Sequence, residues 1–412
     1  MITAKKAAKY HLPTYGRFPI TISRGQGARV WDEDDRLYLD FCTGIATCAL
    51  GHCHPAQSET IAKQARTLIH CSNLYYNKPQ ADLAEYLVEK IIQLPGKIFF
   101  GNSGAEANDG LIKLARRFGR ENPSENGESR YEVITFSKSF HGRTLGSMSA
   151  TAQEKIHAGF DPLLPGFRYV VFNDLAAARE AITEKTAAIL VEPIQGEGGV
   201  NVATAEFLRG LRDLCDEKNL LLMFDEIQCG MGRTGQMNGW ASVAPELVPD
   251  AVSWAKGLGG GFPIGAFWVS EKNGFCDLLG AGSHGSTYGG NPLACAASMA
   301  VLEVIVNENL PAKAKKAGNY LRREIESWHH PAIAEIRGTG LLLGIGLNSE
   351  TWEVPEGKTP ALFLISALME AGLLTVPAGP DTLRLLPPLN VTDAELREAL
   401  QIIRSVLDSF SK

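Results

Sequence analysis

Short, wholly apolar runs that stop abruptly at a charged residue limit the folding options of this chain more than any other feature. Leu220-Leu221-Leu222-Met223-Phe224 ends in Asp225 and Glu226. Ala251-Val252-Ser253-Trp254-Ala255 ends in Lys256, followed by Gly257-Leu258-Gly259-Gly260-Gly261. Runs this short and without alternation read as strands buried on both faces of a parallel sheet. A third, Ala187-Ala188-Ile189-Leu190-Val191, leads into Glu192 to Gly199, and a helical pattern over 205–219 separates it from the next strand. Strand, helix, strand, loop, strand is a βαβ series, which predicts an α/β fold with its working loops at one sheet edge. Open α/β sheets hold their ligands at the carboxyl ends of the strands, where Asp225 and Lys256 fall.

Two chemistries explain an acid pair at a strand end. One is the magnesium-binding acid of a nucleotide hydrolase, which needs a G-x-x-x-x-G-K-[ST] phosphate loop. Gly357-Lys358-Thr359 has Trp352 in place of the first glycine, and Gly96-Lys97 is followed by Ile98, so that loop is absent. The other is an aldehyde cofactor, pyridoxal 5′-phosphate, with Lys256 as its Schiff-base lysine and Asp225 beside the pyridine nitrogen. A primary amine holds an aldehyde covalently yet releases it to an incoming amine. A carboxylate next to the ring nitrogen favours its protonated form and makes the ring an electron sink. A sheet-end acid and a structural lysine remain the alternative at this point.

Other motifs converge on one edge. Ser103-Gly104-Ala105-Glu106 has the form of a capping box, with Ala107, Leu111, Ala115 and Phe118 as the buried stripe of a helix ending near Gly119. Free amides at a helix start also cradle phosphate, although a cap alone accounts for the same residues. The strand Tyr131–Phe136 runs into Phe140-His141-Gly142-Arg143, where an aromatic can stack on a flat ring and an arginine can bind a carboxylate in bidentate fashion. His141, a lone loop histidine, reads as structural. His284 to Pro292 is small and polar, like a second phosphate-contacting turn.

With 412 residues the chain is long enough for two or three domains. Its texture divides into an amino-terminal segment 1–75, a large domain 76–309, and a smaller α+β unit 310–412 that carries strands at 341–347 and 383–386. Forty basic against 46 acidic residues give −6, which argues against nucleic-acid or anionic-membrane partners. No apolar run approaches the ~20 residues of a membrane span. Met1 to Ile20 lacks the apolar core of a secretory signal, and the eight cysteines read as cytoplasmic thiols. The cluster around His52-Cys53-His54 lacks paired zinc spacings, so no metal is expected.

In order along the chain, Ser103-Gly104-Ala105, Phe140-His141-Gly142-Arg143, Glu192 to Gly199, Asp225-Glu226-Ile227-Gln228, Lys256 and Ser286-Thr287 resemble the class III aminotransferases of fold type I. The resemblance runs from about Pro13 to Arg384. It implies a pyridoxal-phosphate transferase fold with a mainly parallel seven-stranded sheet and a smaller α+β domain. Lys256 is then the Schiff-base lysine and proton carrier, Asp225 the partner of the pyridine nitrogen, and Gln228 a neighbour of the ring hydroxyl. Phe140 and Ile227 would flank the ring. Ser103, Gly104 and Ala105 would hold the phosphate, together with a Thr287 supplied by the neighbouring subunit of a homodimer. Arg384 would bind the α-carboxylate of glutamate and Arg143 the distal one. Glu197 would pair with Arg384 when the ω-amine of the other substrate enters.

Ser286 and Tyr15 would sit on the substrate side. Ile45 stands where ornithine aminotransferases carry a tyrosine, and an apolar wall suits an acylated amine. The implied reaction moves the δ-amino group of N2-acetyl-L-ornithine to 2-oxoglutarate, in arginine biosynthesis. Succinylornithine, N-succinyl-diaminopimelate, ornithine or GABA transamination, an aminomutase, and a non-catalytic binding protein of the same fold are the alternatives.

Overall fold

The computed structural model describes residues 2–410. Its centre is a seven-stranded sheet of β1 (Gly96–Gly101), β2 (Glu132–Phe136), β3 (Phe167–Val170), β4 (Thr186–Val191), β5 (Leu221–Asp225), β6 (Ala251–Trp254) and β7 (Gly265–Ser270). The spatial order is β1-β7-β6-β5-β4-β2-β3. β6, β5, β4, β2 and β3 run parallel, and β7 is antiparallel to both of its neighbours. Every residue of β4, β5, β6 and β7 is buried, as the unbroken apolar runs require. Alternate residues of β5 feed opposite layers. Leu222 and Phe224 share a core with Phe207 and Leu211 of the helix Ala205–Lys218. Leu221 and Met223 pack with Leu111, Leu114 and Phe118 of the helix Gly104–Glu121.

That second helix lies unusually close to the sheet because Gly110 has no side chain: a Cβ there would fall 2.2 Å from the Phe267 ring. Its amino terminus differs from the expected capping box in one bond. Ser103 Oγ accepts from the Glu106 amide at 3.2 Å, but Glu106 reaches back to the amide of Asn102 rather than that of Ser103. The helix also runs two residues past Gly119, to Glu121. The helical pattern near 80–92 divides into Lys78–Tyr86 and a wider π-type turn, Leu87–Ile92, that ends at left-handed Gln93.

The carboxyl-terminal unit is an antiparallel sheet of Ile333–Thr339, Leu342–Leu347, Thr382–Leu385 and Val376–Pro377. Buried residues of the helices Leu310–Ser327, Pro360–Glu370 and Asp393–Phe410 belong to the same large core as Leu343 and Leu383. The amino-terminal strands Ile22–Gln26, Arg29–Asp32 and Leu37–Asp40 form an antiparallel ribbon, completed by Leu373–Leu374 from the far end of the chain. The helix Pro55–Ala65 packs instead on Pro292–Asn307. Among the described residues no single helix is long and apolar enough to cross a membrane. The pair Pro292–Asn307 and Leu310–Ser327 passes that test only jointly, across a 66° bend.

Candidate active site

A cavity of about 440 Å³ opens where the carboxyl ends of the parallel strands meet the start of the helix Gly104–Glu121. Asp225 is the last residue of β5, and Lys256 follows β6 after Ala255; both line the cavity. The backbone of Lys256 is left-handed, with φ +43°, a strained conformation for a residue with a long side chain and one that marks functional turns.

Asp225 is 3% exposed and held from three sides. Its Oδ2 accepts from Asn108 Nδ2 at 2.7 Å and from His141 Nδ1 at 2.8 Å, and its Oδ1 accepts from the Ile227 amide at 3.0 Å. Asn108 is itself fixed, because its Oδ1 accepts from Ser253 Oγ at 2.6 Å and its Nδ2 also donates to the His141 carbonyl. An ionised carboxylate accepts only, so His141 carries its proton on Nδ1. Oδ1, with a single donor, is the oxygen with room for another.

Two further acids border the cavity in opposite states. Burial, then the charge of Asp225, pushes Glu192 well above the usual carboxylate range, and its Oε2 accepts from the Phe140 amide at 3.1 Å. Burial also pushes Glu197 upward, but Arg384 and Lys256 outweigh it and hold the carboxyl at about 2. Arg384, fully buried, forms a two-pronged pair with Glu197: Nη1 to Oε1 at 2.8 Å and Nη2 to Oε2 at 3.0 Å. Gln228 closes this cluster, donating to Glu197 at 3.0 Å and accepting from Arg384 at 2.6 Å. Burial lowers the Lys256 amine from its ordinary range, with Glu197 acting against the shift and Arg384 adding to it.

Ser103, Gly104, Ala105, Phe140, Arg143, Glu197, Asp225, Ile227, Gln228 and Lys256, drawn from five separate stretches of sequence, all line this one cavity. Arg143 is exposed, with its guanidinium 5.6 Å from the Phe140 ring centroid and no ion pair among the described residues. Arg384 stands behind Glu197 rather than on the wall. Ile45 is half-buried in an apolar cluster with Ile194, which does line the cavity. Ser286 touches the site indirectly: its Oγ accepts from the cavity residue Asn102 at 3.1 Å. Tyr15 and Thr287 are exposed and do not reach the cavity of their own chain. Sequence reasoning gave no role to Asn108, Asn102 or Glu192. Glu192 was findable, since it directly follows β4 much as Asp225 ends β5.

The class-III aminotransferase family matches residues 10–407. The chain belongs to the class-III aminotransferases. It is 47% identical to the acetylornithine aminotransferase of Caldanaerobacter subterraneus over 99% of both chains, and 44% identical to that of Methanocaldococcus jannaschii over 98% and 97%. Among solved structures it superposes on the ornithine aminotransferase of Toxoplasma gondii with a TM-score of 0.91 at 33% identity, covering 99% of this chain and 94% of that one. The acetylornithine aminotransferase of Elizabethkingia anophelis gives 0.85, also at 33%, over 99% and 98%.

This class-III aminotransferase works with pyridoxal 5′-phosphate. The residues present fit that group. The amide-rich start of an 18-residue helix faces the cavity, where an anion is favoured. Gly104 lets Ile227 pack directly on the helix start, since a Cβ there would lie 2.7 Å from Ile227 Cδ1, and Ile227 lines the same cavity as the aromatic Phe140. A buried carboxylate with a spare oxygen and a desolvated amine complete the donor set.

Proposed function

We propose that the enzyme transfers the δ-amino group of N2-acetyl-L-ornithine to 2-oxoglutarate, giving N-acetyl-L-glutamate 5-semialdehyde and L-glutamate. The observation that carries the reading is the Glu197–Arg384 pair beside Lys256, with Arg143 free on the cavity wall. A transaminase must accept two different amino compounds in one pocket. Glutamate brings two carboxylates, and two arginines are at hand for them. The acylated diamine brings one carboxylate and an aliphatic arm, for which Arg384 must be neutralised. Glu197, ionised and already bidentate on Arg384, does that, and it swings away when a dicarboxylate competes. Arg143 holds the carboxylate of the acylated amine. The apolar cluster behind Ile194, with Ile45 in it, favours an acylated amine over a second charged one. Four-tenths identity or better to acetylornithine aminotransferases along nearly the whole chain supports the same assignment.

When bound, pyridoxal phosphate supplies the electron sink on which an amino group is taken from one substrate and given to the next. Ser103, Gly104 and Ala105 anchor its phosphate, while Phe140 and Ile227 confine its ring. Asp225 would favour a proton on the ring nitrogen, and Asn108 and His141 keep its carboxylate aimed. Gln228, on the cavity wall, would meet the ring hydroxyl. Lys256 Nζ anchors the cofactor and then ferries the proton in each half-reaction.

The test is a half-reaction without acceptor. Added acetylornithine should convert the bound cofactor to its amine form, read by loss of absorbance near the aldehyde band, at a rate well above those of ornithine, succinylornithine and GABA. Faster conversion by one of those three would move the substrate to that compound.

Thr287 supports a two-chain site. It is exposed on a turn that Asn102 ties to the edge of the cavity through Ser286, and exposed Leu74, Tyr75, Tyr76 and Tyr288 offer an apolar surface for a second copy. In a homodimer that exchanges Thr287, mixing a Lys256→Ala chain with a Thr287→Ala chain restores one complete site per hybrid. Activity should rise on mixing to about a quarter of the wild-type value or more, against weak activity of either parent, since a hydrogen bond to a phosphate contributes roughly 1.5–3 kcal/mol. No rise on mixing, with subunit exchange verified by mass, would place Thr287 outside the partner's site.

A further inference from the structure

We infer that Arg337 is the positioning residue that sets how tightly Glu197 closes on Arg384, and so biases the site between its two substrates. This inference rests on the Glu197–Arg384 reading above and assigns its control to a residue outside the cavity.

One guanidinium bridges the two segments that carry the pair, through a backbone carbonyl on one and a side-chain hydroxyl on the other. Arg337 Nε donates to the carbonyl of Gly199 at 2.8 Å, two residues beyond Glu197. Its Nη2 donates to Thr382 Oγ1 at 2.8 Å, two residues before Arg384 on the same strand. Its Nη1 is held by Glu335. Residues two apart on a strand share a face, so Thr382 and Arg384 project the same way.

The strand register makes this arrangement specific. Arg337 pairs with Gly344, and Gly344 pairs with Arg384, so the two arginines flank a glycine in one cross-strand row. The gap above Gly344 is filled by Val200: a Cβ on that glycine would meet the Val200 side chain at 2.8 Å. Val200 is fully buried and left-handed, with φ +54°, an unfavourable conformation for a β-branched residue. The Glu197 loop is therefore docked into the small sheet by a strained plug and tied there by Arg337. With the backbone fixed, release of Arg384 is left to the Glu197 side chain. Loosening the backbone makes the closed pair one of several arrangements, and the fraction of time Arg384 stands free rises.

Removing the tie should thus shift the two substrate classes in opposite directions. In holoenzyme carrying Arg337→Met, the unreactive dicarboxylate glutarate should bind about threefold more tightly or better by calorimetry, because it no longer displaces a fully closed pair. The acetylornithine half-reaction should lose roughly tenfold or more in kcat/KM, because an unneutralised Arg384 opposes the amine end. Thr382→Val, which deletes only one acceptor and keeps the side-chain shape, should shift both quantities the same ways by less. It serves if the methionine variant folds poorly, with the circular dichroism spectrum and melting temperature checking both.

A general structural defect would weaken both ligands, and that result, or no change in either, overturns the inference. The glutarate arm decides even if acetylornithine proves not to be the substrate. Failure of the unaltered enzyme to bind glutarate would count against the Arg384 reading itself.

Discussion

Replacing Lys256 by alanine removes turnover, with kcat falling at least about 10⁴-fold, the upper end of what one positioned proton carrier contributes. The same substitution removes the covalent anchor. Borohydride treatment of the unaltered enzyme should add the cofactor's mass to the peptide that contains Lys256, and the variant should show no tagged peptide at all. The fold should survive, because the amine ends in the cavity and serves no strand or helix. A variant that keeps even a few per cent of kcat would be incompatible with Lys256 Nζ as proton carrier. A colourless, untagged wild-type protein supplied with the cofactor would remove the anchor role as well.

The second large effect is expected from Asp225→Asn. The substitution keeps the shape but removes the charge that stabilises a protonated ring nitrogen. An adjacent opposite charge shifts a pKa by about 1–3 units, and more when buried, so the protonated fraction falls by roughly 10³-fold and kcat with it. Asparagine also has one acceptor oxygen in place of two. Either Asn108 and His141 lose their shared acceptor or Ile227 loses its own. KM for both substrates should move far less than kcat, because the arginines proposed to hold their carboxylates are elsewhere. An Asp225→Asn enzyme within tenfold of wild-type kcat would sink the ring-nitrogen role.

The parts of this molecule that could be read from sequence are those whose signal is local. β4, β5 and β6 announce themselves because burial on both faces forces consecutive apolar residues, and the charged residue that breaks each run marks the working edge. Ser103 was legible because capping acts over three residues. The Asp225 clamp was not, since Asn108 lies 117 residues away in sequence and His141 lies 84 away. An asparagine within a helix and a histidine in a loop carry no local mark of their partner. The two-pronged bond between Glu197 and Arg384 spans 187 residues, and resemblance, not spacing, brought those residues together in advance. The exact reach of Glu106 was misjudged for a smaller reason: the preceding turn presents the amide of Asn102, not that of Ser103.

The reversed direction of β7 has a consequence for how this chain tolerates rearrangement. Parallel neighbours need a crossover of roughly a dozen residues or more, usually through a helix, whereas antiparallel neighbours are joined by a short return. Residues 255–264 make that return, so Lys256, which opens the single 3-10 turn Lys256–Leu258, is leashed at both ends to adjacent central strands. New termini opened at 257–263 would leave the sheet's hydrogen bonds intact yet set the anchoring amine adrift, whereas the exposed stretch 125–129 between the cofactor helix and β2 is the place to cut or graft.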